Sequence, residues 1–183
     1  KRVYEMMSKG GTLGIFQFES AGMTSLLSRL KPQSIEDLTA ALSLYRPGPM
    51  DSIPKYIYNR QHPEKIHYKH PVLKEILDVT YGCIVYQEQV MTICRRLAGY
   101  SYGRADIVRR AMAKKKQAEM IKEREIFVAG AVSNGADEKT ANEIFDDMSS
   151  FASYAFNKSH AAAYSVVAYQ TAYLRCHHYK EYM

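Results

Sequence analysis

A mainly α fold, a multi-helix domain with short loops and at most a small extended piece, is what this sequence predicts, on three observations. Apolar residues recur at intervals of three and four, as in Met23, Leu26, Leu27 and Leu30, or Ala141, Ile144, Phe145, Met148 and Ala152. Small polar residues suited to starting helices precede such segments, and glycine or proline follows them. The runs that fit no helix are short, with no repeat of fixed period and no low-complexity tract. A length of 183 residues allows one domain with a real core or two small ones, and the expectation is a single domain over residues 1–183.

In chain order, Lys1 to Ser8 reads as a short helix closed by Gly10 and Gly11. Leu13, Ile15, Phe16 and Phe18 form a compact apolar run, the candidate extended piece. Glu19 and Ser20 open the next helix, which Lys31-Pro32 stops. Ser34 caps a third, with Asp37 as capping-box partner and Ile35, Leu38 and Leu42 on its inner face. Tyr45-Arg46-Pro47-Gly48-Pro49-Met50 is a stiff corner: both prolines fix φ, so Arg46 is displayed from a rigid loop. Asp51 caps a helix to Arg60, with Ile53 and Ile57 inward. A polar loop with His62 and His67 follows, then a short helix opened by Pro71 and broken at Thr80-Tyr81-Gly82. Cys83 to Tyr86 could be strand or helix. Gln87 to Ala98 buries Val90, Ile93, Cys94 and Leu97, turns Arg95 and Arg96 outward, and ends at Gly99.

Arg104 to Lys116 reads as one helix with Ile107, Val108, Ala111 and Met112 on its apolar stripe. Arg109 and Lys116 point away from that stripe, Arg110 and Lys114 flank the outward face, and Ala113 leaves its middle low. Between Arg104 and Glu125 there are eight basic and four acidic side chains, most of the net charge of +6 in one short segment. Concentrated charge of this kind steers polyanions such as nucleic acid or a nucleotide, and guanidinium forks match phosphate oxygens. A plain solvated face is the alternative. Gln117 to Asn134 then buries Met120, Phe127, Val128 and Ala131, Gly135 stops it, and Asp137 caps the next helix. A long helix runs from about Ser159, its N-cap, to Tyr179. That places Asn157, Lys158 and His160 at a positive helix end, where a phosphate is favoured, and Tyr164 one turn along, where it could lie beside a base. A capped helix with a surface lysine and a packed histidine is the plainer reading there.

Other classes lose ground. Cys83, Cys94 and Cys176 show no paired spacing, so neither a disulfide frame nor a zinc motif is expected, and a reducing cytoplasm is the default. There is no signal peptide and no apolar run long enough to cross a bilayer. Fifteen tyrosines without a tryptophan suit interfaces and base stacking, and equally the margin of a helical core. Arg46, the Arg109/Arg110 face and Lys158, gathered together, would hold a triphosphate. Two-metal transfer also needs clustered carboxylates; no Asp-x-Asp pair occurs, and no Gly-rich phosphate loop. The segment is therefore expected to bind and position, with no catalytic residue and no metal ligand of its own. A start at Lys1 and a stop at Met183 without a helix-ending signal suggest a piece of a longer protein.

The sequence resembles the alpha subunits of bacterial DNA polymerase III, the C-family replicative polymerases. The motifs that carry this are Gly14-Ile15-Phe16-Gln17-Phe18-Glu19-Ser20 with Gly22-Met23, Tyr45 to Met50, Thr80-Tyr81-Gly82, Tyr86 to Met91, Ala105-Asp106 through Arg109-Arg110-Ala111-Met112 to Lys116, and Phe156 to His160 with Tyr169-Gln170-Thr171. The resemblance implies a segment of the fingers domain, which closes over the incoming deoxynucleoside triphosphate and the templating base. It implies triphosphate contacts from Arg109 and Arg110 and a nucleotide-lining role for Asn157, Lys158, Ser159 and His160, with Arg46 carried over less firmly. Lys114, Lys116 and Tyr164 are the expected contacts to DNA or the nascent base pair. Magnesium would be bound by palm aspartates outside the segment, which would be inactive alone. The implied partners are deoxynucleotide, primer-template DNA, the rest of the polymerase chain and, through other regions, replisome subunits such as the sliding clamp. Ala113 and Ala155 stand where the family more often has glycine, and no proline follows His178. Two other readings compete: a non-catalytic helical module that binds nucleic acid without a nucleotide pocket, and an interaction scaffold whose tyrosines meet a protein partner.

Overall fold

The computed structural model describes residues 1–114 and 117–183. Among them lie α1 (Arg2–Ser8), α2 (Ala21–Leu30), α3 (Ile35–Leu44), α4 (Ile53–Gln61), α5 (Pro71–Leu77), α6 (Gln87–Ala98), α7 (Tyr102–Ala113), α8 (Gln117–Ser133), α9 (Glu138–Ala152), α10 (Lys158–His177) and α11 (Tyr179–Tyr182). Three short 3-10 turns complete the inventory, and the only β pairing among the described residues is an isolated parallel bridge between Tyr86 and Phe156. The mainly α expectation is met. None of the described helices is long and apolar enough to cross a membrane.

Local chemistry sets most helix starts. Ser20 Oγ accepts from the Met23 amide at 3.2 Å, Ser34 Oγ from Asp37 at 3.1 Å, and Asp137 Oδ1 from Thr140 at 2.8 Å. The Asp37 carboxylate reaches the Gln33 amide at 2.8 Å, one residue further back than a capping box requires. Leu13 to Phe18 is not extended: it is a chain of turns with Gln17 at φ 65°, which buries Ile15 and Phe18 and leaves Leu13 and Phe16 exposed.

The chain gathers into two units, Lys1–Ile57 with Asn157–Met183, and Tyr58–Phe156. No loop-rich linker marks the first crossing, since α4 runs through it, and so the sequence reads as a single domain. In the first unit α10 packs on α3, α1 and α11. It buries Ala161, Ser165, Ala168 and Ala172, and α3 is buried over most of its circumference, with Thr39 Oγ1 3.1 Å from Ser165 Oγ. The 12–18 turns are tied to the far half of α10 and to α11: Arg175 donates to the Leu13 carbonyl and Tyr182 to the Gly14 carbonyl, both at 2.6 Å.

In the second unit α6 is the hub, packed by α5, α7, α8 and α9. Its core holds Ile93, Leu97, Val108, Phe127, Phe145 and Met148. Gly130 lets α8 approach α6 closely; a Cβ there would stand 2.5 Å from the Ala98 carbonyl oxygen. The buried Gln89 organises the loop before α6, where its Oε1 accepts from the Val85 and Tyr86 amides at 2.9 Å and its Nε2 donates to Thr80 Oγ1 at 2.7 Å.

Candidate functional site

In the second unit, the basic helix is shorter than the charge run. α7 ends at Ala113, Lys114 is an exposed turn residue, and Lys116 lies outside the described residues. Its buried face is Ala105, Val108, Ala111 and Met112, whereas Ile107 is 67% exposed. Exchanging Ile107 for Ala105 rotates the apolar stripe by about 40° at ~100° per residue. That rotation separates the two arginines. Arg110 stands opposite the stripe with its side chain 66% exposed, and Arg109 lies at the margin with only 16% exposed.

Asp106 does not merely dilute the charge; it holds both guanidiniums. Its Oδ1 accepts from Arg109 Nε at 3.1 Å and Nη2 at 2.7 Å, while its Oδ2 pairs with Arg110 Nη2. The spacings of three and four residues are those at which side chains meet on a helix. Arg109 first, then Arg110, holds the Asp106 carboxyl below the ordinary carboxylate range. The result is an oriented pair of cations on one carboxylate, Arg109 tucked against the helix and Arg110 exposed. The i, i+3 and i, i+4 spacing of Asp106 to the two arginines is the signal in the sequence that points to this role.

In the first unit, the N-cap of α10 lies two residues earlier than expected. Asn157, not Ser159, is the N-cap: its Oδ1 accepts from the His160 amide at 2.8 Å. Both residues can cap, and the extended backbone at Asn157 decides between them. Lys158 Nζ lies 3.2 Å from Glu36 Oε2 on α3, and Ser159 and His160 are exposed. The His160 ring stands 4.2 Å from that of Tyr164, which lies 5.2 Å from Phe16, so an aromatic ledge follows the helix start. Near the start of α10, Ala161 is buried against the fold and Ala163 is exposed.

The Arg46 corner is built as the prolines dictate. Gly48 takes φ 100°, a region closed to most side chains, and Pro49 is buried at the start of a 3-10 turn. Arg46 is half-buried; its Nε donates to the Ser43 carbonyl at 3.2 Å, and burial lowers its pKa. Glu36, the partner of Lys158, stands in the first turn of α3 and Arg46 follows its last. At ~1.5 Å per residue they are about 15 Å apart along the axis, the outer limit of what long cationic arms and a triphosphate bridge.

The described residues contain no group of three or more His, Cys, Asp or Glu able to hold a metal ion. Asp146 and Asp147 point apart, to Arg124 and Lys69. Burial pushes the Cys94 thiol up to about 12, so it is no nucleophile.

Residues 1–135 match the family described as the bacterial DNA polymerase III alpha subunit finger domain. This chain belongs to that family. It is similar over its whole length to DNA polymerase III subunit alpha of Rickettsia bellii (51% identical, covering 16% of that protein) and of Thermus aquaticus (51%, 15%). Over 97% of its length it is 50% identical to the same subunit of Staphylococcus epidermidis, covering 17% of it. The chain thus spans about a sixth of these relatives. Arg46, Asp106, Arg109, Arg110 and Lys114 fall within the finger-domain match, and Asn157 to Tyr164 fall beyond it, inside the full-length similarity to the Rickettsia and Thermus subunits.

Proposed function

We propose that this finger segment binds and positions the incoming deoxynucleoside triphosphate and the primer-template during DNA synthesis by a longer DNA polymerase. One observation carries the reading: Arg109 and Arg110 converge on the single carboxylate of Asp106. Two guanidiniums oriented by one small anion are prepared for a larger one, because the ordering cost of the arms is already met. Arg110, the more exposed of the two, exchanges its carboxylate for triphosphate oxygens; Arg109 keeps the fork in place. In the other unit, taken by itself, Asn157, Lys158, Ser159 and His160 at the capped start of α10 are assigned nucleotide contacts, because backbone N–H groups and a cation there suit an anion. Arg46 is assigned a supporting charge, and Lys114, Lys116 and Tyr164 contacts to DNA or the nascent base pair.

Magnesium and the carboxylates that hold it are assigned to the rest of the polymerase, since the described residues gather no donor set for it. The segment alone is therefore expected to be inactive. Its further partners, the sliding clamp among them, would meet regions outside it.

The test is Arg110→Ala in the full-length polymerase. The KM for deoxynucleotide should rise at least about tenfold, the loss expected for one charge-assisted contact, with primer-template affinity changed less than about twofold. Equal losses of both would favour a nucleic-acid-binding module without a nucleotide pocket.

A further inference from the structure

Tyr102 opens α7 and is 64% exposed. The Arg95 guanidinium, from the last turn of α6, lies 3.3 Å from its ring centroid. Arg95 Nε is buried with no hydrogen-bond partner among the described residues, so the aromatic face, not a carboxylate, holds this cation. Its neighbour Arg96 behaves differently and pairs with Glu75 at 2.7 Å. The negative end of α6 explains two arginines there; it does not explain why a large ring stays in water beside one of them.

The placement of that ring matters. At ~100° per residue, Tyr102, Asp106 and Arg109 share one side of α7, and Tyr102 and Arg109 are about 10 Å apart along the axis. That is roughly three stacked nucleotides at ~3.4 Å each. With one face of the ring under Arg95 and most of the residue in solvent, the other face is free.

We propose that the Arg95–Tyr102 stack is a platform for an unpaired base of single-stranded DNA, in line with the arginine fork of α7. The base lies on the open face of Tyr102, and Arg95 beneath the ring favours the passing phosphates. Recognition is indifferent to sequence, because every base offers a π face. The inference rests on the reading of the chain as part of a DNA polymerase, and locates where the template strand runs outside the duplex.

Tyr102→Ala, Tyr102→Trp and Arg95→Ala in the full-length polymerase test it. Binding is measured by fluorescence anisotropy on two primer-templates, one with a single unpaired template nucleotide and one with about ten, within the span such sites occupy. Tyr102→Ala should weaken binding to the long overhang about tenfold and to the short one less than about twofold. Tyr102→Trp should retain affinity, and Arg95→Ala should weaken the long overhang and lower its salt dependence by about one counterion. Deoxynucleotide KM should stay unchanged in all three. Affinity for the long overhang untouched by Tyr102→Ala, equal loss on both substrates, or failure of tryptophan to substitute would overturn the proposal. Should Arg110→Ala leave the KM unmoved while the overhang effect persists, the nucleotide reading fails and the platform stands.

Discussion

One helix pair in each unit packs by a means opposite to the other's. In the first, α10 meets α3 through small residues, Ala161, Ser165, Ala168 and Ala172 against a side that includes Thr39, Ala40 and Ser43. In the second, α8 and α9 meet through Phe127 and Phe145, whose rings stand 5.5 Å apart, with Met148, Ile93 and Leu97 filling in. Helices that meet through small side chains come close and gain from backbone proximity, whereas helices separated by large ones gain from apolar area. The first contact should therefore fail when bulk is added, and the second when bulk is removed.

Three substitutions break or sharpen that contrast. The largest effect is expected from Phe145→Ala, which leaves a cavity in the fully buried core of the second unit and should cost about 3–5 kcal/mol. Urea unfolding should show the loss, and hydrogen exchange should place it in residues 58–156. Ala168→Leu should cost about 1–3 kcal/mol by overpacking, with protection lost in residues 1–57 and 157–183; a tolerated leucine would end the contrast. The smallest effect belongs to Asp106→Asn. The folded carboxyl has a depressed pKa, so its contribution is present above the ordinary value of about 4 and vanishes as pH falls through the folded one. The stability gap between the parent and Asp106→Asn should thus be small at pH 7, shrink in salt, and close in strong acid. A gap that persisted at low pH would mean that the asparagine disturbs packing rather than charge.

The same division between local and distant causes governs what was legible in the sequence. Ser20, Ser34, Asp137 and Gly99 act within one helical turn, and each was readable from spacing alone. So was the buried face of α9. The face of α7 was misjudged because Ile107 is the more apolar residue, yet it is Ala105 that is buried and Ile107 that is exposed. Leu13 to Phe18 resembled a strand because a positive φ at Gln17 cannot be foreseen in a residue that rarely adopts it. Gln89 and Gly130 carried no signal: their partners, Thr80 and Ala98, are defined by tertiary packing. At the candidate site, residue types and their helices were legible, while the Asp106 clasp and the choice of Asn157 as cap required the backbone.

The discontinuity of the first unit bears on synthesis. Most of the cover of its α3 comes from α10, which is translated after the whole of Tyr58–Phe156; α2 and the turn at Pro49–Ser52 add less. The later-starting unit is contiguous and can therefore mature on the ribosome first, while the amino-terminal helices wait as an unfinished surface for a chaperone or for their own carboxy-terminal half. Nascent chains halted just before α10 should expose α3 to protease and protect α6, α8 and α9; early protection of both would contradict this order.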